Sequence, residues 1–170
     1  MYREETARRA VAAQMASLSD YLESLELRAR FARATDADVP RLAQMAGKTN
    51  QFNATTRRLT EADFRALLAD DAYRVWTVRA ADCFGDMGLV CYAIYACATS
   101  RLTDLVMSCR AMGRTLEGFA LNHIRAALAE EGRTLVGIDY VPTAKNGPFS
   151  TFLEKLDLSC EQVTYYKVGR

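Results

Sequence analysis

Residues 101–132 read RLTDLVMSCRAMGRTLEGFALNHIRAALAEEG, and the fold class turns on them. The first nine residues are largely apolar and β-branched or aliphatic, which predicts a strand over 101–109 ending at Cys109. RAMGRT (110–115) is a tight basic loop. LEGFALNHIRAALAEEG (116–132) carries Leu116, Phe119, Ala120, Ile124, Ala127 and Leu128 at helical spacing, and Gly132 stops the helix. A strand, a short glycine-bearing loop and a long helix in that order predict a crossover unit of an α/β domain.

The junction has a chemistry of its own. A helix N-terminus presents unpaired N–H groups and the positive end of its dipole. Glycine allows close backbone approach, and arginines add charge and forked donors. Arg110, Gly113, Arg114 and Thr115 are therefore candidates to bind a phosphate or pyrophosphate. The same surroundings favour a thiolate over a thiol, which makes Cys109 a candidate nucleophile. On this segment alone the pattern is short, and a buried strand-end thiol is the commoner reading of Cys109.

Outward from this segment, the remaining pattern is regular. Residues 2–27 predict a leading helix with Val11, Met15, Leu18, Leu22 and Leu25 on one face. Residues 28–35 alternate as a strand, and a helix follows over 36–49 with Asp36 as N-cap. A polar loop (51–58) precedes a second helix, where Thr60 to Asp63 forms a capping box with Asp in place of Glu. Strands are expected at 73–81, 89–98, 134–141 and 161–168, with a glycine turn at 83–88 and a short helix at 149–158. The order β-α-α-β-β-β-α-β-α-β predicts an α/β fold in which a mixed sheet is flanked by helices. Residues 1–27 read as a linker helix and 28–170 as one domain.

Bulk properties narrow the function. The chain has 170 residues, 50% hydrophobic and 25% charged, with a formal net charge of +1. That is globular composition, without the global charge that recruits nucleic acid or an anionic membrane. No apolar run is long enough for a bilayer, and the N-terminus lacks a signal-peptide core, so a cytoplasmic location is expected. Five cysteines without a CxxC pair, and a single histidine, His123, argue against a zinc site. No metal is expected.

Larger motifs point to a family. The loop Arg110-x-x-Gly113-x-Thr115 resembles the acyl-CoA loop of the GNAT acyltransferases, and the stretch from Asn146 through Phe152 to Asp157 resembles the helix after their splayed fifth strand. KTNQFNATTRRLTEADF (48–64), DCFGDMGLV (82–90), SCRAMGRTLEGFAL (108–121) and YVPTAKN (140–146) together resemble the C-terminal GNAT-like domain of the FkbH-like family. The resemblance spans roughly residues 2–158. It implies a GNAT-like fold with an extra N-terminal helix, and an acyltransferase of polyketide biosynthesis. That enzyme would move a glyceryl unit through a cysteine thioester onto the phosphopantetheine thiol of an acyl carrier protein.

Site roles follow from the resemblance. Cys109 would hold the acyl group, with Asn50, Asn53 and Asp86 as further catalytic residues. Arg110, Gly113, Arg114 and Thr115 would bind the phosphopantetheine arm or CoA. Thr49, Gln51, Arg57, Tyr140, Thr143, Lys145 and Asn146 would line the substrate pocket. The family's phosphatase motif is absent, so a HAD-type phosphatase domain is an expected partner, upstream or separate. Thr115 stands where the loop more often has glycine, and Cys83 is a second candidate nucleophile. His123 lies beside the apolar stripe, two turns into its helix, and reads as a residue at the edge of that stripe rather than as a general base. The competing functions are CoA-dependent N-acyl transfer of the ordinary GNAT type and a non-catalytic module that docks a carrier protein.

Overall fold

In the computed structural model the described residues are 20, 23–156 and 164–167. Most of the expected leading helix lies outside them; at its end, Leu25 is fully buried. The strands are β1 (Arg28–Arg33), β2 (Tyr73–Asp82), β3 (Gly85–Ala96), β4 (Arg101–Met107), β5 (Gly137–Tyr140) and β6 (Thr164–Lys167). The helices are α1 (Val39–Lys48), α2 (Glu61–Ala69), α3 (Leu116–Glu130) and α4 (Gly147–Lys155). The predicted element order holds from β1 to β6.

The strands lie in sequence order in one six-stranded sheet. Strands β1 to β4 form an antiparallel meander, and β5 and β6 join in parallel through the crossover helices α3 and α4. Apolar residues of α1 and α2 (Leu42, Met45, Phe64) pack on one face with Val75, Leu89, Tyr92 and Val106. Apolar residues of α3 and α4 (Ile124, Leu128, Phe149, Leu153) pack on the other with Trp76, Val78, Tyr95 and Leu105. Both faces being covered explains why β3 reads LVCYAIYA, apolar without alternation.

Strands β4 and β5 pair only at Arg101–Gly137 and Leu102–Ile138, and then diverge. The chain itself fills the wedge. Ala54 N–H donates to Leu105 O at 3.1 Å, Met107 N–H donates to Phe52 O at 2.9 Å, and Asn53 bridges Val106. On the other side Val141 N–H donates to Ala54 O at 2.9 Å. Phe52 packs edge-on against Phe149 of α4, with centroids 4.9 Å apart.

Strand β3 takes in most of the expected 83–88 turn by starting at Gly85, α4 runs Gly147–Lys155 instead of 149–158, and three further boundaries differ from expectation. Strand β4 ends at Met107, so Cys109 stands in the turn beyond it. Strand β5 is shorter than 134–141, because the chain leaves the sheet at Val141 to meet Ala54. Asp36 does not cap α1. It opens a 3₁₀ turn, Asp36–Asp38, in which Thr35 and Asp38 form the capping box.

Asp38 anchors the start of α1. Its Oδ2 accepts from Thr35 N–H and the Thr35 hydroxyl, both at 2.9 Å, and its Oδ1 accepts from Arg79 Nη2 at 2.5 Å. Burial raises this carboxyl, but the Thr35 and Arg79 donors overcome it and hold the group below its ordinary value. A depressed carboxyl stabilises the fold above the ordinary carboxylate range, and the contribution is lost as pH falls through it. Asp38→Ala is expected to destabilise the domain by about 1–3 kcal/mol at pH 7. In urea melts the gap to wild type should shrink as the pH is lowered towards 3.

Candidate functional site

A cleft of about 850 Å³ opens where the end of α1, the end of β4 and the turn after β5 converge. Helix α1 contributes Arg41, Gln44, Met45 and Lys48, which share one face by their spacing. Thr49, Asn50 and Gln51 follow from the loop after α1. Ser108, Cys109 and Arg110 enter from the end of β4, and Ala144 and Lys145 from the turn after β5. Among the described residues the lining holds four cations and no carboxylate or histidine. Cys109 is exposed, whereas Cys91 is buried in β3, where desolvation pushes its thiol far up and leaves it inert.

Two buried asparagines build the walls. Asn146 Nδ2 donates to Asn53 O at 3.1 Å and Val141 O at 2.9 Å, and its Oδ1 accepts from Thr143 N–H at 2.7 Å. Asn53 Nδ2 donates to Thr49 O at 3.1 Å, and its Oδ1 accepts from Thr56 N–H at 2.8 Å. Thr143 Oγ1 in turn accepts from the N–H groups of Lys145 and Asn146, both at 3.3 Å. Together they hold the loop after α1 and the turn after β5 side by side. Asn53 is therefore not an oxyanion donor; its amide is committed and fully buried. Asn50 does face the cleft, with its Oδ1 held by Arg58. Arg58 also caps α1, donating to Ala46 O at 2.6 Å and Gly47 O at 3.0 Å.

The glycine loop departs most from its expected role. Arg114 is 5% exposed and points inward, donating to Arg110 O and contacting Met87 Sδ at 3.3 Å. Gly113 has φ +72°, and its N–H donates to the Glu117 carboxylate at 3.2 Å. Thr115 sits at φ +61°, a left-handed conformation that is strained for a β-branched residue, and its hydroxyl bonds Arg114 O at 2.7 Å. A carboxylate of the chain thus takes one N–H of the loop. Of the four loop candidates, only Arg110 lines the cleft.

Other candidates lie elsewhere. Arg57 pairs with the buried Asp104 of β4; burial opposes its charge, and Asp104 outweighs that to raise it above its ordinary value. Tyr140 is 5% exposed and stacks on Phe149, with centroids 5.6 Å apart. Asp86 caps the β2–β3 hairpin by accepting Gly88 N–H at 2.7 Å, and Cys83 lies on that hairpin, its thiol 3.5 Å from Ser24 O. His123, in the middle of α3 and exposed, packs on Phe119 and Phe31 and bonds Phe119 O. What sequence reasoning missed is Arg41, Gln44, Lys48 and Ser108. The first three were legible as a polar stripe at 41, 44 and 48, but nothing in the sequence says what the stripe faces.

Comparison with protein-family models and with curated protein sequences finds no match. Solved structures do resemble the chain. The ribosomal-protein-S18-alanine N-acetyltransferase of Escherichia coli superposes with a TM-score of 0.55 at 14% identity, over 76% of this chain and 77% of that one. A ribosomal-protein-alanine N-acetyltransferase of Brucella melitensis biovar Abortus 2308 gives 0.53 at 15% identity, over 84% and 99%. The fold is GNAT-like. A transcriptional regulator of Bacillus halodurans C-125 scores 0.54 at 14% identity, over 84% and 100%, so this fold spans unlike functions. No helix among the described residues is long and apolar enough to cross a membrane.

Two substitutions test this geometry. Asn146→Ala is expected to cost about 2–4 kcal/mol, because it strands buried carbonyls as well as removing the amide. Thr115→Gly relieves the left-handed strain, and is expected to raise the urea midpoint, by up to about 1 kcal/mol in stability.

Proposed function

We propose that this chain is an acyltransferase domain of the FkbH-like type. It moves a glyceryl C3 unit through a thioester on Cys109 to the phosphopantetheine thiol of an acyl carrier protein. The observation that carries the reading is the exposed thiol of Cys109 in a cationic cleft whose walls are built by the TNQFN and YVPTAKN segments. The phosphatase of such a system would be a separate HAD-type domain.

The chemistry is two exchanges of nearly equal energy. The Cys109 sulfur attacks the carbonyl carbon of a donor thioester, the new C–S bond forms, and the donor thiol leaves with the proton. The carrier thiol then attacks the Cys109 thioester, and the proton returns to Cys109. Positioning matters more than driving force in such a balanced exchange. Asn50, one of the lining amides, donates to the carbonyl oxygen in this reading, since Asn53 is committed to the wall. Among the described residues the cleft lining offers no histidine or carboxylate as a base. Thiol–thioester exchange needs none when the thiol enters as its thiolate.

A second reading is direct transfer from acyl-CoA to an amine, favoured by the fold shared with two alanine N-acetyltransferases. The two readings differ in whether Cys109 carries the acyl group, because Glu117 and Arg114 shape the glycine loop in the same way for both.

Intact-protein mass spectrometry with glyceryl and other acyl thioesters, followed by peptide mapping, decides between them. A hydroxylamine-labile adduct on Cys109 is expected, and Cys109→Ala should remove it while circular dichroism and the urea midpoint stay put. Amine acylation that proceeds unchanged in Cys109→Ala would overturn the thioester mechanism in favour of direct transfer.

A further inference from the structure

Strand β1 ends the sheet on one side: it pairs with β2 along its whole length, and among the described residues no strand lies beyond it. The direction of its outer groups follows from the register. Ala34 N–H donates to Val75 O at 2.9 Å, and further back along the same ladder Ala32 faces Thr77 and Arg30 faces Arg79. The even-numbered residues therefore bond inwards to β2, and the N–H and C=O groups of Ala29, Phe31 and Arg33 point away from the sheet. Among the described residues nothing bonds these outer groups. Such a row is a template for one more strand.

The two faces of this edge differ in chemistry. On the α1 side Arg30 stands directly opposite Arg79, an unfavourable pairing of like charges. Arg79 is balanced by Asp38, whereas the exposed Arg30 has no acid partner among the described residues. Beside Arg30 lies a hollow of about 200 Å³, lined also by Ala32, Thr35, Ala37 and Thr77. Arg28, on the same face, reaches only Glu26, at 4.0 Å and with both groups exposed. The α3 side is aromatic. Phe31 is half-buried, with its ring 6.1 Å from Trp76 and 5.5 Å from His123, and Phe119 lies 4.0 Å from His123 between centroids. Arg33 ends this ledge, over the Trp76 ring and 4.0 Å from Glu131. Side chains of an added strand would fall alternately on the two faces.

We propose that the outer edge of β1 takes up an extended segment of a partner protein in which acidic and apolar residues alternate. Main-chain bonds run to Ala29, Phe31 and Arg33, the acids lie along Arg28 and Arg30, and the apolar side chains rest on the Phe31 and His123 ledge. The segment supplies the acid that Arg30 lacks. A second copy of this chain is the poorer occupant, because its own β1 would bring Arg28, Arg30 and Arg33 to an edge that already carries them. None of these residues lines the Cys109 cleft, so the segment tethers the domain and leaves the cleft open. The inference stands apart from the thioester reading.

Fluorescence anisotropy with the full chain and a labelled synthetic peptide of alternating glutamate and valine tests this. Saturable binding with a Kd below about 1 mM is expected. A peptide of the same composition with its acids grouped at one end should bind about tenfold more weakly, and so should a backbone-N-methylated copy of the alternating one. Arg30→Glu should weaken the glutamate peptide about tenfold and strengthen the matching lysine peptide, a reversal that a misfolded variant cannot produce. Ala29→Pro removes one outward donor at a position where an edge strand tolerates proline, and should weaken the glutamate peptide while the urea midpoint stays put. No saturation by about 1 mM, equal binding of the alternating and grouped peptides, or indifference to Arg30→Glu overturns the proposal. A dimer seen by sedimentation in wild type and dissociated by Ala29→Pro assigns the edge to a second copy, and overturns it too.

Discussion

The constraint on which the rest of the structure depends is the unpaired edge of β4. Strand β5 leaves β4 after two residue pairs, and buried N–H and C=O groups cannot be left without partners. Phe52 to Ala54 supply them, bonding Leu105 and Met107 on one side and Val141 on the other. That insertion fixes where the loop after α1 must run. It brings Thr49, Asn50 and Gln51 over the end of β4, opposite Cys109, and Asn146 ties the turn after β5 to the same segment. A short stretch of backbone pairing therefore sets the positions of three walls of the cleft.

Charge is divided between the two sides of the β4–α3 connection. On the helix side the loop satisfies itself, with Glu117 on Gly113 N–H and Arg114 folded under its own turn. On the cleft side Arg110 joins Arg41, Lys48 and Lys145 in the lining. One N–H of the loop that opens the helix, which would ordinarily attract an anion, is thus taken by a carboxylate of the chain. The same fold can serve different chemistries through such local changes, as the likeness to both acetyltransferases and a transcriptional regulator illustrates.

Much of the architecture was readable from local pattern. The strand and helix order followed from periodicity and capping, and the Thr60–Asp63 box formed as its spacing implies. Boundaries slipped where a tertiary contact took over: β5 was cut short by Val141 bonding Ala54, and α1 began behind a capping box whose Asp38 is also held by Arg79 from β2. The site was legible only in part. The motifs located Cys109, Arg110, Thr49, Asn50, Gln51 and Lys145 at the cleft, but did not separate them from Asn53, Tyr140, Thr143 and Asn146, which build its walls.

The sequence by itself determined the element order, the apolar faces and the turn-forming residues, because these depend on neighbours within a few positions along the chain. Only the tertiary structure decided which polar groups face solvent and which face each other. An asparagine has the same letters whether its amide bridges two buried loops or points into a cleft. Arg41 and Arg110 stand 69 positions apart, and nothing local marks them as neighbours. Their meeting follows from the packing of α1 on the sheet beside the end of β4. Long-range packing is what turns residue types into a site.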